Sequence, residues 1–266
     1  MSKPVMSTVD KALSLLRHFS LQRPEMGLSE LARLAGYDKT TVLRCMTALE
    51  RNGFIEQDPQ SKHYRLGLAP INLARIRERS FPLLAILQPY VDALCDSTQE
   101  TAHATVLSAG RLLTALVNEP DRATRVFMDP SADLPLHATA SGIVIAAHLP
   151  AAERAALVAK SSFERFTEKT PTSPEALEAL FTKTRARGFA RAEQSYEDDV
   201  IGTAVAFFDP SGRPAGAIAV AAVASRFDAA LAGKIEQELL STAQQLTREL
   251  GGIAPASPNS MPEHAK

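Results

Sequence analysis

The segment GLSELARLAGYDKTTVLRCMTALERNGFIEQDPQSKHYRL, residues 27–66, carries the most regular pattern in the chain. Apolar residues recur in it at the three- and four-residue spacing of one helix face, which predicts a short helix beginning near Ser29. Asp38 is a good N-cap residue for a second helix over residues 39–52, and Gly53 permits the left-handed backbone of a helix C-cap. The segment therefore predicts two helices joined by a tight turn.

A β-hairpin is predicted directly after the second helix. Residues 54–57 and 63–66 alternate apolar and polar side chains around a proline-containing turn, as paired antiparallel strands do. Upstream, residues 8–19 repeat apolar side chains at helical spacing, and Ser7 or Thr8 is suited to cap that helix. Three helices followed by a hairpin are typical of a winged helix-turn-helix, whereas an ordinary helical hairpin with a solvated charged face is the alternative.

The start of the second helix presents hydroxyl and cationic side chains on the face opposite its apolar one. Such groups hydrogen-bond phosphates and base edges in the major groove of DNA, and cations on the hairpin suit a neighbouring backbone or minor groove. The predicted DNA-binding residues are Ser29, Lys39, Thr40, Thr41, Arg44, Lys62, Tyr64 and Arg65.

Charge is distributed unevenly along the chain, although the formal net charge of the 266 residues is only -1. Residues 1–79 hold 13 lysines and arginines against 8 aspartates and glutamates, and residues 80–266 hold 16 against 22. This asymmetry indicates a basic nucleic-acid module joined to an acidic domain. Because the basic excess is modest, sequence-specific contacts and dimerisation must supply much of the affinity for DNA.

A linker helix is predicted over residues 69–79, and Phe81-Pro82 interrupts it. Its end is rich in arginine, which suits either a helix C-terminus or additional contacts to the DNA backbone. The predicted domains are a winged helix-turn-helix over 7–68, the linker helix over 69–81, a second domain over 82–250 and a disordered tail over 251–266.

The second domain mixes helix-like and strand-like periods, so the fold class is α+β. The predicted strands cover residues 103–109, 112–118, 123–128, 200–209 and 215–223. The predicted helices cover residues 83–96, 138–148, 150–159, 173–187 and 226–250.

Several classes of function find no support in the sequence. Only two cysteines occur, Cys45 and Cys95, which fits a reducing cytoplasm, and no segment predicts a signal peptide or a membrane partner. An enzyme domain fused to the DNA-binding domain is the rival hypothesis, but the common nucleophile, zinc-protease, dinucleotide and phosphate-loop motifs are missing. The sequence implies no cofactor and no metal; scattered histidines such as His103, His137 and His148 are more often structural.

Several motifs occur together in an informative order after the winged helix and the linker. They are LPLHATASG at Leu134–Gly142, RGFA at Arg187–Ala190, FDPSG at Phe208–Gly212, and Arg226. With these motifs the chain resembles the IclR family of bacterial transcriptional regulators over about residues 7–250. The resemblance implies a regulator that binds palindromic promoter DNA as a dimer, with dimers and tetramers common. It also implies a C-terminal α/β domain with a curved antiparallel sheet that binds a small metabolite.

The resemblance places the metabolite between the LPLHATASG segment and the last strands of the sheet. A helix start offers free backbone N–H groups to an anion, although a plain N-cap is the alternative. Gly202, Ala219 and Ala221 stand where many family members have Cys or Ser, so we expect an organic or aromatic carboxylate with an apolar body. The predicted effector-binding residues are Thr105, His137, Thr139, Ala140, Ser141, Gly142, Glu193, Tyr196, Gly202, Thr203, Ala219 and Ala221.

The segment that contains Glu193 and Tyr196 is acidic and precedes a predicted strand, so it would form a lid over the ligand or be merely a solvated loop. A third hypothesis is a protein-binding adaptor that has no small ligand at all.

Overall fold

The computed structural model describes residues 7–255, which form two compact units that divide between Pro82 and Leu83. A disordered tail was predicted over residues 251–266, and the part of it from residue 256 onward lies outside the described residues. The helices of the front unit are α1 (Thr8–Leu16), α2 (Leu28–Ala35), α3 (Lys39–Arg51) and α4 (Ala69–Ser80). Its strands are β1 (Glu25–Met26), β2 (Ile55–Gln57) and β3 (Tyr64–Leu66), in the antiparallel order β1-β3-β2.

The front unit is the predicted winged helix-turn-helix, with two local differences. The first helix ends at Leu16 rather than near Phe19, although Phe19 still lies in the core. Glu25 and Met26 form a short strand where the sequence predicted only loop, because they pair with Arg65 and Tyr64 of the hairpin. A strand of two residues is too short to show the alternation from which strands are predicted.

The helices of the rear unit are α5 (Leu83–Thr98), α6 (Ala140–His148), α7 (Ala151–Val158), α8 (Pro174–Arg187) and α9 (Ala229–Glu249). Its strands are β4 (Thr101–Ser108), β5 (Arg111–Asn118), β6 (Ala190–Glu193), β7 (Val200–Phe208) and β8 (Pro214–Val223). They form a five-stranded antiparallel sheet in the order β5-β4-β8-β7-β6. The fold is therefore α+β, as predicted.

The two faces of this sheet differ in side-chain size. One face packs Val205, Phe207 and Ile218 against the apolar sides of α5 and α9. The other face packs against α6 and α8. In the middle of β7 and β8 this second face is made of Gly202, Ala204, Ala206, Ala217, Ala219 and Ala221, with Val200 and Phe208 at the two ends of β7. Small side chains let α6 approach the sheet closely.

The predicted strand over residues 123–128 is wrong. These residues form an irregular segment whose Val126 carbonyl accepts a hydrogen bond from the Thr101 hydroxyl at 2.6 Å. The strand β6, which the sequence did not predict, forms the edge of the sheet beside β7 instead. Its four residues are too few for a periodic signal, and they follow directly on the Gly188 C-cap of α8.

Arg226 belongs to a short 3-10 turn rather than to the last helix, which Asp228 caps. The Arg226 guanidinium forms a bidentate ion pair with Glu100, whose carboxylate is buried just before β4. This pair raises the pKa of the Arg226 guanidinium. It ties the end of β8 to the beginning of its neighbour β4.

Gly142, in the first turn of α6, tests how closely that helix packs against the segment that precedes it. A Cβ atom on Gly142 would lie 2.5 Å from the Leu136 carbonyl oxygen. We therefore expect Gly142→Ala to lower the free energy of unfolding by about 2 kcal/mol, since backbone has to move. Gly233→Ala is the matched control: nothing lies within 4 Å of its added Cβ in α9, so helix propensity should raise stability by about 0.5–1 kcal/mol. Urea unfolding of both variants measures the difference, and equal effects of the two would refute the close packing.

Candidate functional site

The exposed face of α3 carries the candidate DNA contacts of the front unit. Lys39, Thr40 and Arg44 are exposed on its first turns, while its opposite side lies in the core. The structure adds Leu43 and Thr47 to this exposed face. Leu43 follows Thr40 by three residues and Thr47 follows Arg44 by three, which is the spacing of one helix face, so the sequence did contain a signal for them.

Two of the predicted DNA-binding residues, Tyr64 and Thr41, have side chains that are engaged within the protein. Tyr64 is buried in the core of the front unit, so its side chain is not available to DNA, and burial raises its pKa. Thr41 is half-buried, and its hydroxyl and backbone N–H both donate to the Asp38 carboxylate at 2.7 and 2.8 Å. Thr41 therefore completes the N-cap of α3.

The turn of the hairpin is held by its own hydrogen bonds. The Asp58 carboxylate accepts from the N–H groups of Gln60 and Ser61 at 3.0 and 2.7 Å, which lowers its pKa. Lys62 has a positive φ of 59° and is exposed at this turn. Arg65 is exposed on the hairpin and forms an ion pair with Glu56 at 3.1 Å. Ser29, the remaining predicted DNA contact, is exposed in the first turn of α2. The hairpin thus presents Lys62 from an ordered turn.

A small cavity lies at the N-terminus of α6, against the small side chains of β7 and β8. Its volume is about 80 Å³, well above the roughly 10–15 Å³ that a single water molecule needs. Of the predicted effector-binding residues, it is lined by Thr139, Ala140, Ser141, Tyr196, Gly202, Ala219 and Ala221. The structure adds His103, Val126, Met128, Leu134, Ala138, Ala192, Glu197 and Val200 to its wall.

The first turn of α6 supplies hydrogen-bond donors to this wall. The Thr139 hydroxyl is occupied, since it accepts from the Gly142 N–H at 3.2 Å and donates to the Pro135 carbonyl at 2.9 Å. Within the described residues, the N–H groups of Ala140 and Ser141 have no acceptor, as is normal for the start of a helix. Together with the helix dipole they favour an anion at this position.

His103 and Ser141 form the polar centre of the cavity. His103 Nε2 lies 3.3 Å from Ser141 Oγ, and both side chains are buried. Burial lowers the pKa of His103 to about 4, so the imidazole is neutral near pH 7. No lysine or arginine of residues 7–255 lines the cavity. The site therefore offers dipoles and neutral groups to a ligand.

The acidic segment before β7 is anchored beside the cavity. The Ser195 hydroxyl donates to the Ala138 carbonyl at 2.9 Å, and Thr170 and Thr167 donate to backbone carbonyls of the same segment. Glu197 lies at the cavity, where burial raises the pKa of its carboxyl group. The lid prediction named Glu193 and Tyr196, and the structure brings Tyr196 and Glu197 there instead.

Five predicted effector-binding residues lie outside the cavity wall. His137 Nε2 is 2.9 Å from the Glu164 carbonyl, and its ring packs against two phenylalanines. Gly142 packs on Leu136, as described above. Thr203 is on the α5 and α9 face of β7, Glu193 lines a separate surface groove, and Thr105 is buried further along β4.

The missed wall residues had partial signals. Leu134 and Ala138 belong to the LPLHATASG motif, and Glu197 belongs to the acidic segment. His103 shares a face of β4 with Thr105 by simple alternation. No pattern in the sequence indicated that Val126 and Met128 would line this cavity.

Two family models match the chain. The model described as the IclR helix-turn-helix domain matches residues 8–59, and that of the bacterial transcriptional regulator IclR C-terminal domain matches residues 78–248. The chain belongs to the IclR family. It is therefore a DNA-binding transcriptional regulator.

Named IclR-family relatives agree with the two models. The chain is 30% identical to the glycerol operon regulatory protein of Streptomyces coelicolor over 249 residues, which cover 92% of this chain and 96% of that protein. It is 28% identical to the regulator XynR of Escherichia coli over 248 residues, covering 93% and 98%. A solved IclR regulator from Silicibacter is 35% identical with a TM-score of 0.86, covering 94% of this chain and 99% of the other.

These IclR-family relatives are regulators rather than enzymes, which removes the hypothesis of a fused enzyme domain. The three histidines considered as metal ligands lie apart, and residues 7–255 contain no group of three or more side chains placed to hold a metal. Within the same residues, no helix is long and apolar enough to span a membrane.

Burial of His103 predicts a pH dependence of stability. Its folded pKa, about 4, lies below the ordinary value of 6.5, so the unfolded chain takes up a proton first as the pH falls. Stability is present above pH 6.5 and is lost as the pH falls towards 4. At pH 5 we expect a loss of about 2 kcal/mol relative to pH 7.5.

Urea unfolding of His103→Gln measures this contribution, because the variant should lack that part of the pH dependence. His63→Gln, at an exposed histidine of the hairpin, is the control that should retain it. Identical pH profiles for wild type and His103→Gln would show that His103 is not held neutral.

Proposed function

We propose that this regulator binds promoter DNA as a symmetric homodimer or a tetramer of such dimers, and that a small organic carboxylate in the rear-unit cavity changes its DNA affinity. A two-fold symmetric dimer places two copies of α3 in successive major grooves of a palindromic site. The observation that carries the effector proposal is the cavity itself: Ala140 and Ser141, whose N–H groups have no acceptor within the described residues, line it together with a mostly apolar wall.

Exposed apolar side chains in the front unit support the dimer. Helix α4 buries none of its residues, and Ile71, Leu73 and Ile76 are each about half exposed on it. Val9 and Leu13 are similarly exposed on α1. Large apolar side chains exposed on a helix that buries none of its residues are typical of protein contacts, and a second copy of this chain is the occupant that a palindromic operator requires.

The wall of the cavity supports a ligand with an acidic end and an apolar body. Carboxylate oxygens suit the helix N-terminus, while Val126, Met128 and the small side chains of the sheet suit carbon. Glu197 and Tyr196 at the same cavity suit a hydroxyl group on the ligand. A solved IclR homologue from Microbacterium hydrocarbonoxydans is described as a complex with 4-hydroxybenzoate, at 21% identity, a TM-score of 0.77 and coverage of 92% of this chain and 99% of that one. At that identity the likeness shows the fold alone, so the ligand class rests on this cavity.

Regulation follows from linkage between the two sites. An effector changes DNA affinity only by its differential affinity for the arrangements of the protein with and without DNA. The linker between the units would carry the change. There the Arg77 guanidinium donates to the Phe81 carbonyl and lies over the Phe81 ring. Of the two uses considered for the arginines of α4, Arg77 therefore has that of a helix C-terminal cap.

Substitutions in the front unit separate two kinds of DNA contact. We expect Arg44→Ala to relax base preference at one position of each half-site, at a cost of about 1–3 kcal/mol, because Arg44 lies on the exposed face of α3. We expect Lys62→Ala to weaken binding to all sequences alike and to reduce the salt slope by about 1. Titration against an operator library at several salt concentrations measures both; equal behaviour of the two variants would contradict the groove assignment.

A ligand panel tests the cavity. We expect isothermal titration to detect single-ring aromatic or short-chain monocarboxylates and to find weaker binding of small hydroxy- and keto-acids. Gly202→Val should weaken binding by filling the space beside Ala140, whereas Thr203→Val, on the opposite face of the same strand, should leave it unchanged. Binding restricted to small hydroxy- or keto-acids would refute the ligand class, and a protein that binds none of the compounds would favour an adaptor without a ligand.

A further inference from the structure

The unusual feature of the cavity is the hydrogen bonding of its one histidine. His103 Nε2 lies 3.3 Å from Ser141 Oγ, while His103 Nδ1 is buried and has no hydrogen-bond partner among the described residues. Ser141 Oγ makes no other hydrogen bond within those residues. Buried polar atoms without partners are uncommon and tend to mark functional positions.

The two possible directions of this hydrogen bond differ in what they leave unpaired. If the Ser141 hydroxyl donates to Nε2, the neutral imidazole carries its proton on Nδ1 and leaves a buried N–H without an acceptor. If Nε2–H donates to Ser141 Oγ, only a lone pair on Nδ1 is left. Orphaned buried N–H groups are the rarer of the two, so the second arrangement is favoured. It leaves the hydroxyl proton of Ser141 available to the cavity.

We propose that His103 is a positioning residue for the effector: by donating to Ser141 Oγ it makes the Ser141 hydroxyl a donor to the ligand carboxylate. This inference rests on the proposed function and refines its acid subsite. The subsite then consists of the N–H groups of Ala140 and Ser141 together with the Ser141 hydroxyl, all donors on the first turn of one helix.

The strand register explains why a histidine serves here. His103 on β4 lies directly opposite Ala219 on β8, the position where the family resemblance predicts a serine. The methyl group of Ala219 leaves space for the imidazole and brings no hydrogen bond of its own. In this chain the polar group at this part of the wall is on β4 rather than on β8, and it lies beside Ser141.

Charged groups around His103 agree with a neutral donor. Tyr196 and Glu197 line the same cavity, the neighbouring strand residues Val117 and Ala219 are apolar, and no described lysine or arginine lines the wall. Burial keeps the imidazole neutral, as its lowered pKa shows. Glu197 is not bonded to His103 among the described residues, so Ser141 is the partner that His103 can orient.

A double-mutant cycle on the full chain tests this coupling. Benzoate and butyrate are titrated calorimetrically into wild type, His103→Phe, Ser141→Ala and the double variant. We expect His103→Phe to weaken carboxylate binding about tenfold in wild type but less than twofold in the Ser141→Ala background, since His103 acts through Ser141. His103→Gln retains an amide donor and should recover most of the affinity.

An equal loss from His103→Phe in both backgrounds would overturn the inference, because His103 would then act independently of Ser141. Nitrogen-15 NMR of the ligand-free wild type supplies a second measurement that survives if a variant fails to fold. A proton on Nε2 is expected, and a proton on Nδ1 would refute the arrangement. If neither benzoate nor butyrate binds wild type, the proposed function fails, and the tautomer still reports separately on the histidine.

Discussion

The rear unit depends on how closely α6 approaches the sheet. A Cβ added to Gly202 of β7 would lie 3.5 Å from the Ala140 Cβ at the start of the helix, and the α6-facing residues in the middle of β7 and β8 are glycine or alanine. Along the body of the helix, Ile143 and Val144 fill the space between helix and sheet. At its first turn the residues are small on both sides, so the same packing that buries the helix leaves a cavity at its N-terminus. The cavity is therefore a consequence of the core.

Local signals made the front unit predictable. Capping by Asp38 and the apolar spacing of α3 depend only on neighbouring residues, and both appear where the sequence placed them. The two DNA-contact predictions that were wrong in the front unit concern side chains rather than helices and strands. Tyr64 sits on a strand of only three residues, where alternation cannot show which face is buried. Thr41 has the right chemistry for DNA, but the Asp38 cap at the same helix start uses its hydroxyl.

The cavity could be predicted only where one segment builds it. Ala140 and Ser141 follow from a helix start that is visible in the sequence, whereas His103 reaches the wall through the pairing of β4 with β8. Such a register joins residues more than a hundred positions apart, and no local pattern encodes it. Gly202 and Thr203 show how strongly a predicted site residue depends on the strand register. These adjacent residues of β7 face opposite sides of the sheet, and only Gly202 lines the cavity.

The proposed anion site has no lysine or arginine among the described residues that line the cavity, and this has consequences for a regulator. A buried lysine would need a compensating charge whenever the cavity is empty, and it would attract anions with little regard to shape. Backbone N–H groups and a serine hydroxyl carry no net charge, so they need no compensating charge in the absence of a ligand. Because their directions are fixed, they would select a ligand by its geometry. The response of DNA binding is limited by the difference between the ligand affinities of two states. Under the proposal, donors that bind the ligand well in only one orientation serve this difference better than a stronger attraction that is the same in both states. Under the proposal, two neutral side chains, His103 and Ser141, add one hydroxyl donor to the N–H donors in the first turn of α6.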